Sequence, residues 1–338
     1  MVDSVAPQCY IEEIDIQEFR GIRGLKNPIK LSKYNIIIGR NNVGKTALLE
    51  ALYLLPSPYD SIRGQPLIGR HRMPLVINLH GGDWTSLIYG YSGYAKLSYK
   101  LSTNVTLEFN LSYKPEYLRV DGEEAGIDLY IDSISKCFNI KEEDVSRLTF
   151  LIPNDTLFIK DLHGRLLEVW DAIVKEGLHR EIVSRLVNPV VYDKFTEILI
   201  ERNQLKLRNE VGGDIGPLYI TLTDLGDGVE KVTTVGLALE YFKPRVVLWD
   251  DLEVAMHPGL VRSILRWLTS RDWQVVISTH SIDVLNIFTD LGLKDGKIIL
   301  LRKTSDDFIE VSSYTPMEMG DIIEKGIDIR KIIDILEL

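Results

Sequence analysis

The segment that decides the fold is Ile36-Ile37-Ile38-Gly39-Arg40-Asn41-Asn42-Val43-Gly44-Lys45-Thr46. It matches the pattern G-x-x-x-x-G-K-[ST] and lies between a predicted strand and a predicted helix, Lys45 to Leu54. Its two glycines let the backbone curl so that successive N–H groups point inward, and the helix start adds a positive end. Such a loop binds phosphate groups: Lys45 reaches the β- and γ-phosphates, and the Thr46 hydroxyl ligates magnesium. A plain surface turn is the alternative, which the strand–loop–helix context disfavours.

A phosphate loop of this kind needs an acidic residue at the end of a neighbouring strand. The run Arg245 to Trp249 predicts a buried strand, and two carboxylates follow it directly, Asp250 and Asp251. We expect Asp250 to hold magnesium through water and Asp251 to position the attacking water or act as a general base. Four apolar residues followed by an aspartate are a weak pattern alone, but they become a strong one beside the phosphate loop.

Two further segments complete the set. Leu225-Gly226-Asp227-Gly228 precedes a predicted helix and makes a second helix start rich in N–H groups, suited to an anion. Gln274 to Ser278 predicts a strand that leads into Thr279-His280-Ser281, with His280 at its tip. A histidine at a strand end is usually structural, but its position in this order of motifs favours a functional role.

This order of motifs resembles the ABC-type ATPase head shared by SMC proteins, RecF and the OLD nucleases, and above all the standalone AAA-like, RecF/OLD-type ATP-binding proteins. The resemblance covers roughly residues 10 to 55 and 215 to 290. It rests on the phosphate loop, on the segments around Gly226 and His280, and on Ile16 to Gly21 and Val247 to Pro258. It implies an α/β fold: a two-lobed P-loop ATPase head with a mixed sheet lobe, partly antiparallel, and a helical lobe.

The resemblance also implies the site. The cofactors are ATP and Mg²⁺, with Thr46 and Asp250 at the metal. Lys45, Asp251 and His280 are the expected catalytic residues, and Glu253 is a less favoured substitute for Asp251. The expected nucleotide-binding residues are Arg20, Gly39, Arg40, Asn41, Asn42, Val43, Gly44, Lys45, Thr46, Ala47, Gly226, Asp227 and Gly228. A glutamine loop that senses the γ-phosphate cannot be placed, and Gln65 is a poor candidate.

Two heads of this class form a head-to-tail dimer around two ATP molecules. Each nucleotide would lie between Lys45 of one protomer and the Gly226–Gly228 loop of the other, and hydrolysis would loosen the dimer. One triphosphate carries enough charge to use two anion-binding helix starts. We therefore expect a homodimer through ATP that acts on an unknown protein partner.

The chain departs from the family pattern in two places. The family has Asp-Glu-Pro-Glu where this chain has Asp250-Asp251-Leu252-Glu253, so the expected catalytic glutamate is an aspartate. Retracting a water-positioning carboxylate by about 1 Å can cost on the order of 10²-fold in rate. Gly226 also stands where transporter heads carry a serine, which removes one hydroxyl donor to the γ-phosphate.

The sequence predicts three consecutive parts. Residues 1–124 would form the first part of the ATPase lobe, with the phosphate loop and antiparallel strands; residues 125–203 a helical lobe; and residues 204–338 the remainder of the ATPase lobe. In the first part, Trp84 to Leu101 and Val105 to Tyr113 alternate apolar and polar residues around Thr103-Asn104, which predicts antiparallel hairpins. In the second we predict short helices, among them Tyr192 to Ile200. In the third, strands and helices alternate, which indicates a parallel sheet.

Composition limits the function classes. The chain has 338 residues and a net charge of −10, so nucleic-acid contact would require a local basic patch. Arg63, Arg70, His71 and Arg72 form such a cluster; a solvated face is its ordinary role and DNA contact the alternative. Apolar runs are strand-sized, well below the ~18 residues of a membrane helix, and two cysteines cannot make a disulfide framework. We therefore expect a soluble cytoplasmic protein with no membrane contact and inert cysteines.

Three functions remain open at this point. The first is an ATP-hydrolysing switch that dimerises on ATP and acts on a partner in DNA maintenance or defence. The second is a nucleotide-dependent regulatory clamp with negligible hydrolysis. The third is a transporter subunit, which the wide separation of Lys45 from Asp250 and the entry Phe19-Arg20-Gly21 disfavour.

Overall fold

The computed structural model describes residues 9–56, 72–112, 118–211 and 216–326. These residues form two compact units. Unit 1 comprises the chain up to Leu151, Pro244–Asp250 and the chain from Trp273 onward, and unit 2 comprises Ile152–Lys243 and Asp251–Asp272. The predicted boundaries at residues 124 and 203 stay a prediction.

Strands and helices follow one another along the described chain. The strands are β1 Ile11–Phe19, β2 Ile22–Leu25, β3 Ile29–Lys30, β4 Tyr34–Ile38, β5 Ala95–Leu101, β6 Thr106–Leu111, β7 Leu118–Val120, β8 Glu123–Ala125, β9 Thr149–Ile152, β10 Phe195–Glu201, β11 Gln204–Glu210, β12 Pro217–Thr221, β13 Val246–Trp249, β14 Gln274–Ser278, β15 Gly296–Lys303 and β16 Phe308–Tyr314. The helices are α1 Lys45–Tyr53, α2 Arg72–Asn78, α3 Ile127–Phe138, α4 Thr156–Glu168, α5 Trp170–Lys175, α6 Leu178–Ile182, α7 Asp227–Phe242, α8 Pro258–Thr269, α9 Ile282–Asp290 and α10 Pro316–Glu324.

Unit 1 is built on one mixed sheet, with strand order β8-β7-β6-β5-β1-β2-β16-β15-β4-β14-β13-β9 and with β3 beside β1. Strands β15, β4, β14 and β13 run parallel to their neighbours in this series. Every residue of β4 is buried, as in a parallel strand covered on both faces. In β5 buried and half-buried residues alternate, as in an antiparallel strand with one face in the core. The carboxyl ends of β4, β13 and β14 therefore share one edge of the sheet.

Unit 2 contains helices α4 to α8 and a small antiparallel sheet of order β10-β11-β12. The predicted helix from Tyr192 to Ile200 is wrong, because β10 pairs with β11 there, Ile198 opposite Leu207. Ile198 and Leu207 are both buried, and this cross-strand packing outweighs the helix-like spacing of the apolar residues.

The strand structure predicted from Trp84 to Leu101 is only half correct. Trp84–Leu87 and Tyr89–Tyr91 are 3₁₀ turns, and the first is capped by the Asp83 carboxylate, which accepts from the Thr85 N–H. Strands β5 and β6 form the hairpin that follows. The mixed α/β architecture predicted from the sequence is confirmed.

Cys9 and Cys137 form a disulfide within unit 1, with their Cα atoms 5.6 Å apart. The expectation of inert cysteines is wrong, because the two side chains are bonded to each other. No signal in the sequence indicates this pair, whose members are 128 residues apart. Among the described residues, no helix combines the length and the apolar character that crossing a membrane requires.

Candidate functional site

The loop between β4 and α1 leaves no room for side chains at its two glycines. A Cβ at Gly39 would lie 2.7 Å from the carbonyl oxygen of Leu301 and 2.8 Å from Val43 Cγ1. Gly44 has a left-handed φ of 100°, and a Cβ there would lie 3.0 Å from the Ile22 side chain. Glycine at these positions therefore allows the tight curl that the motif predicts.

Lys45 is buried at the start of α1. Its Nζ donates to the carbonyl oxygens of Gly39, at 3.1 Å, and Arg40, at 3.0 Å. These bonds hold the ammonium group inside the curl of its own loop, which is where a phosphate-binding lysine has to be.

Asp250 is the point where three chain segments meet. The Thr46 hydroxyl donates to Asp250 Oδ2 at 2.9 Å, and the Ser278 hydroxyl donates to Asp250 Oδ1 at 2.6 Å. Asp250 follows β13 and Ser278 ends β14, so the shared edge of the parallel sheet brings both to the loop after β4. Because each carboxylate oxygen accepts a hydroxyl bond, the orientation of the carboxylate is fixed.

The oxygen atoms of Thr46 and Asp250 suit Mg²⁺, which prefers hard oxygen ligands and is usually held by one or two carboxylates together with substrate phosphates. Among the described residues, no group of three or more His, Cys, Asp or Glu side chains could hold a metal ion. One carboxylate and one hydroxyl are donors that fit a Mg²⁺ ion bound together with nucleotide phosphates.

The residues around His280 are held by backbone bonds. The Thr279 N–H donates to the Ile37 carbonyl oxygen at 3.1 Å, and the Thr279 hydroxyl accepts from the Ser281 N–H at 3.0 Å. Ser281 in turn caps α9 by accepting from the Asp283 N–H. His280 itself is exposed directly after β14. The structure thus brings His280 to the same sheet edge as Asp250 and Lys45.

Arg20 lies against α1. Its Nε is 2.8 Å from Glu50 Oε2, and it also donates to the carbonyl oxygens of Val76 and Ser86. His80 Nε2 lies 2.7 Å from the other Glu50 oxygen. The expected role of Arg20 in nucleotide binding stays a prediction, since the described contacts of its guanidinium group are with the protein.

Arg72 is not part of a DNA-binding surface. It is buried, donates to the carbonyl oxygens of Tyr53 and Ser146 and to Thr149 Oγ1 at 2.6 Å each, and lies over the Tyr53 ring. Burial lowers the pKa of the Arg72 guanidinium and raises that of Tyr53. The DNA-contact alternative is therefore wrong for Arg72. Arg63, Arg70, His71 and Gln65 lie outside the described residues.

Unit 2 carries the second predicted helix start. Gly226 has a left-handed φ of 91°, and α7 begins at Asp227; both residues are exposed. Gly228 is buried, and a Cβ there would lie 2.3 Å from the carbonyl oxygen of Ala255. Gly228 is therefore required for packing within the chain, which its predicted role in binding a phosphate did not anticipate.

Asp251 begins the turn that leads to α8. Its φ of 45° is left-handed, and its carbonyl oxygen accepts from the Val254 N–H. The Glu253 carbonyl oxygen accepts from Met256, so Glu253 forms part of the same turn. His257 caps α8, its Nδ1 accepting from the Gly259 N–H at 3.2 Å. The catalytic roles of Asp251, Glu253 and His280 stay predictions.

Sequence reasoning missed Ser278 and Glu50 as site residues. Ser278 is a small polar residue in an otherwise apolar strand, and Glu50 is a carboxylate within the apolar stretch of α1, buried to 1% exposure. A polar residue in an apolar segment is the signal that could have identified both, because burying it requires a hydrogen-bonding partner.

Two family models match the chain. One is described as AAA ATPase domain and matches residues 10–160; the other is described as AAA domain, putative AbiEii toxin, Type IV TA system, and matches residues 144–286. The Septu protein PtuA of Bacillus mycoides is 23% identical over 94% of this chain and 44% of its own length. An ATP/GTP phosphatase of Helicobacter pylori is 22% identical over 89% of this chain and 87% of its own length. The chain thus spans less than half of the length of PtuA.

Solved structures show the same fold. The Smc head domain from Pyrococcus furiosus, bound to the C-terminal domain of ScpA, superposes with a TM-score of 0.60 at 14% identity, over 94% of this chain and 99% of that chain. The SMC head domain from Thermotoga maritima gives a TM-score of 0.53 at 13% identity, over 90% and 98%. The chain therefore has the fold of an SMC head domain, and both family matches are to AAA-type domains, in line with the resemblance read from the motifs.

Proposed function

We propose that the protein binds and hydrolyses ATP with Mg²⁺, dimerises head-to-tail around the nucleotide, and acts as a switch on a partner protein. One observation carries the proposal: the 2.9 Å bond from Thr46 to Asp250, which joins the phosphate loop to the acidic end of β13. Two residues separated by most of the chain meet there with the chemistry that a nucleotide-bound Mg²⁺ requires.

Each residue of the site has a role in this proposal. The curled loop from Gly39 to Gly44 binds phosphate oxygens through its N–H groups, and the Lys45 ammonium offsets the charge of the β- and γ-phosphates. Thr46 and Asp250 would hold Mg²⁺, which neutralises charge at the transferring phosphoryl group when bound. Asp251 positions the attacking water, and His280 contacts the γ-phosphate.

The second helix start supports the dimer. Helix α7 is 16 residues long, and its first residues, Gly226 and Asp227, are exposed, so its positive end is open to an anion from another protomer. A second copy of the chain is the partner that the ATPase class implies. The dimer and its head-to-tail geometry rest on this resemblance.

The partner and the process are inferred from relatives. An SMC head of the same fold is bound to the C-terminal domain of ScpA, and one family match is described by a putative toxin of a Type IV TA system. We infer a protein partner and a role in defence or DNA maintenance, within the cytoplasm. The net charge of −10 gives no general attraction to DNA.

A regulatory clamp with negligible turnover is the second candidate. Asp251 favours it, because the side chain is one methylene shorter than the expected glutamate. A shorter carboxylate lies farther from the water that it would position. In this alternative ATP closes the dimer and is released without hydrolysis.

Steady-state phosphate release, measured with and without DNA, separates the two candidates. The switch predicts Mg²⁺-dependent phosphate release that is lost in Asp250→Asn. If the wild type binds nucleotide but releases no more phosphate than Asp250→Asn, the clamp is favoured. Absence of nucleotide binding would overturn both.

A further inference from the structure

Ser278 is a residue to which neither the family resemblance nor the motif pattern gives a role. It is the last residue of β14 and is fully buried, at 0% exposure. Its hydroxyl donates to Asp250 Oδ1 at 2.6 Å. A hydroxyl buried at this depth is unfavourable without a hydrogen bond, so the contact explains why the strand tolerates a serine here.

We propose that Ser278 is a positioning residue for the Mg²⁺ site: its hydroxyl fixes the rotation of the Asp250 carboxylate, so that Oδ2 stays directed at Thr46. The inference rests on the proposed function, in which Asp250 and Thr46 hold the metal. The two bonds lie on different oxygens of one carboxylate, with Ser278 on Oδ1 and Thr46 on Oδ2. Loss of the first leaves the carboxylate freer to rotate about its Cβ–Cγ bond.

The sheet register keeps the Ser278 side chain in place. β14 runs parallel to both β4 and β13, with Ser278 beside Ile37 and Ile277 beside Trp249. The Thr279 N–H then donates to Ile37, so the backbone is held on both sides of Ser278. A hydroxyl carried by the central strand of three is a rigid support. Removing a hydrogen-bonding partner of a metal-ligating group typically lowers metal affinity about 10- to 100-fold.

The test measures binding of a fluorescent ATP analogue, first in EDTA and then during titration with Mg²⁺. In EDTA, Ser278→Ala should bind the nucleotide as the wild type does, because the phosphate loop is unchanged. In Ser278→Ala, the Mg²⁺ concentration that gives half of the maximal enhancement of nucleotide binding should rise about tenfold. The control Ser146→Ala removes another buried hydroxyl of unit 1, one that bonds only within its own 3₁₀ turn at the Glu143 carbonyl, and should leave the Mg²⁺ midpoint unchanged.

A double-mutant cycle tests whether Ser278 acts through Asp250. Asp250→Asn should weaken Mg²⁺ binding strongly, and adding Ser278→Ala should change it by less than about twofold. If Ser278→Ala does not fold, Ser278→Cys keeps a similar volume with a weaker donor and should raise the midpoint about threefold. An unchanged Mg²⁺ midpoint in a folded variant would overturn the inference. So would a double variant whose fold-change in midpoint equals the product of the two single fold-changes, because the residues would then act independently. A wild type that binds no nucleotide even at saturating Mg²⁺ would instead overturn the proposed function.

Discussion

Asp250 and Asp251 are consecutive residues with different environments. Asp250 ends β13, is 6% exposed, and accepts hydroxyl bonds from Thr46 and Ser278. Asp251 is half-buried and has a left-handed φ of 45°, a conformation that aspartate tolerates better than most residues. The two hydroxyl bonds fix the orientation of the Asp250 carboxylate, and the left-handed backbone distinguishes Asp251 from it. The roles predicted for the pair are compatible with these environments: Asp250 would hold the metal and Asp251 would position the water.

Lys45→Ala should abolish measurable Mg-ATP binding while leaving the fold intact. The substitution removes the cation that Gly39 and Arg40 hold inside the loop, in a site partly screened from water. Isothermal titration calorimetry measures the change, with circular dichroism as the check on folding. Unchanged affinity in the folded variant would refute the phosphate-loop assignment.

Local spacing predicted the phosphate loop and Asp250, but not the bonds that complete the site. The loop is recognisable because the physical requirement lies within eight consecutive residues. Ser278 and Glu50 act on partners 28 and 30 residues away, and no spacing rule connects them. Arg72 shows the reverse error: in the sequence it belongs to a basic cluster, whereas in the fold it is a buried donor to Tyr53, Ser146 and Thr149.

At the scale of elements, packing within the chain requires a glycine at the start of α7. Gly228→Ala should destabilise the protein by about 1–3 kcal/mol, because the new Cβ would lie 2.3 Å from the Ala255 carbonyl oxygen and backbone must shift. Thermal unfolding measures this. Gly164→Ala in α4 is the matched control: a Cβ there meets nothing within 4 Å, so alanine should stabilise the helix by about 0.5–1 kcal/mol. Equal stability of the two variants would contradict the packing account.

His179 in α6 should make stability depend on pH. Burial lowers the pKa of its imidazole, Arg180 lowers it further, and Glu197 opposes both. The unfolded histidine, with a pKa of about 6.5, therefore binds a proton at a pH where the folded one does not. The free energy of unfolding should fall as pH drops through about 6.5 toward the lower folded pKa. Urea unfolding at about pH 7.5 and about pH 5.5 should show a smaller loss for His179→Gln than for the wild type; an equal loss would remove His179 as the cause.

The elements that sequence predicted best are those whose signal is local. β14 was placed at Gln274 to Ser278, as observed, because a buried parallel strand is a continuous apolar run. Strand β10 was predicted as a helix because its apolar residues fit both periods, and only pairing with β11 decides between them. Trp84 to Tyr91 alternates like a strand, yet the Asp83 cap and the Gly90 backbone, with φ 64°, turn it into 3₁₀ structure.

For the whole molecule, we expect an ATP-dependent dimer that needs the start of α7. Gly228 is unsuitable for this test because it packs within its own chain, whereas Asp227 is exposed. Asp227→Trp should place a bulky group at the helix start and block its approach to a second nucleotide. Each monomer should still bind ATP, but the ATP-dependent shift from monomer to dimer should disappear in sedimentation velocity. Lys175→Trp, at an exposed position of the same unit, should keep the shift. Normal dimerisation of Asp227→Trp would contradict the head-to-tail arrangement.

Single-turnover hydrolysis of ATP tests the central claim most directly, because it follows the chemical step apart from product release. Wild type, Asp251→Asn and Asp251→Glu are compared at saturating protein. Asp251→Asn should still bind Mg-ATP, held by Thr46 and Asp250, but should lose most of the hydrolysis rate. Asp251→Glu, which restores the usual length of the side chain, should match or exceed the wild-type rate. Equal, near-zero hydrolysis in the wild type and Asp251→Asn would contradict an ATP-hydrolysing switch and support the clamp.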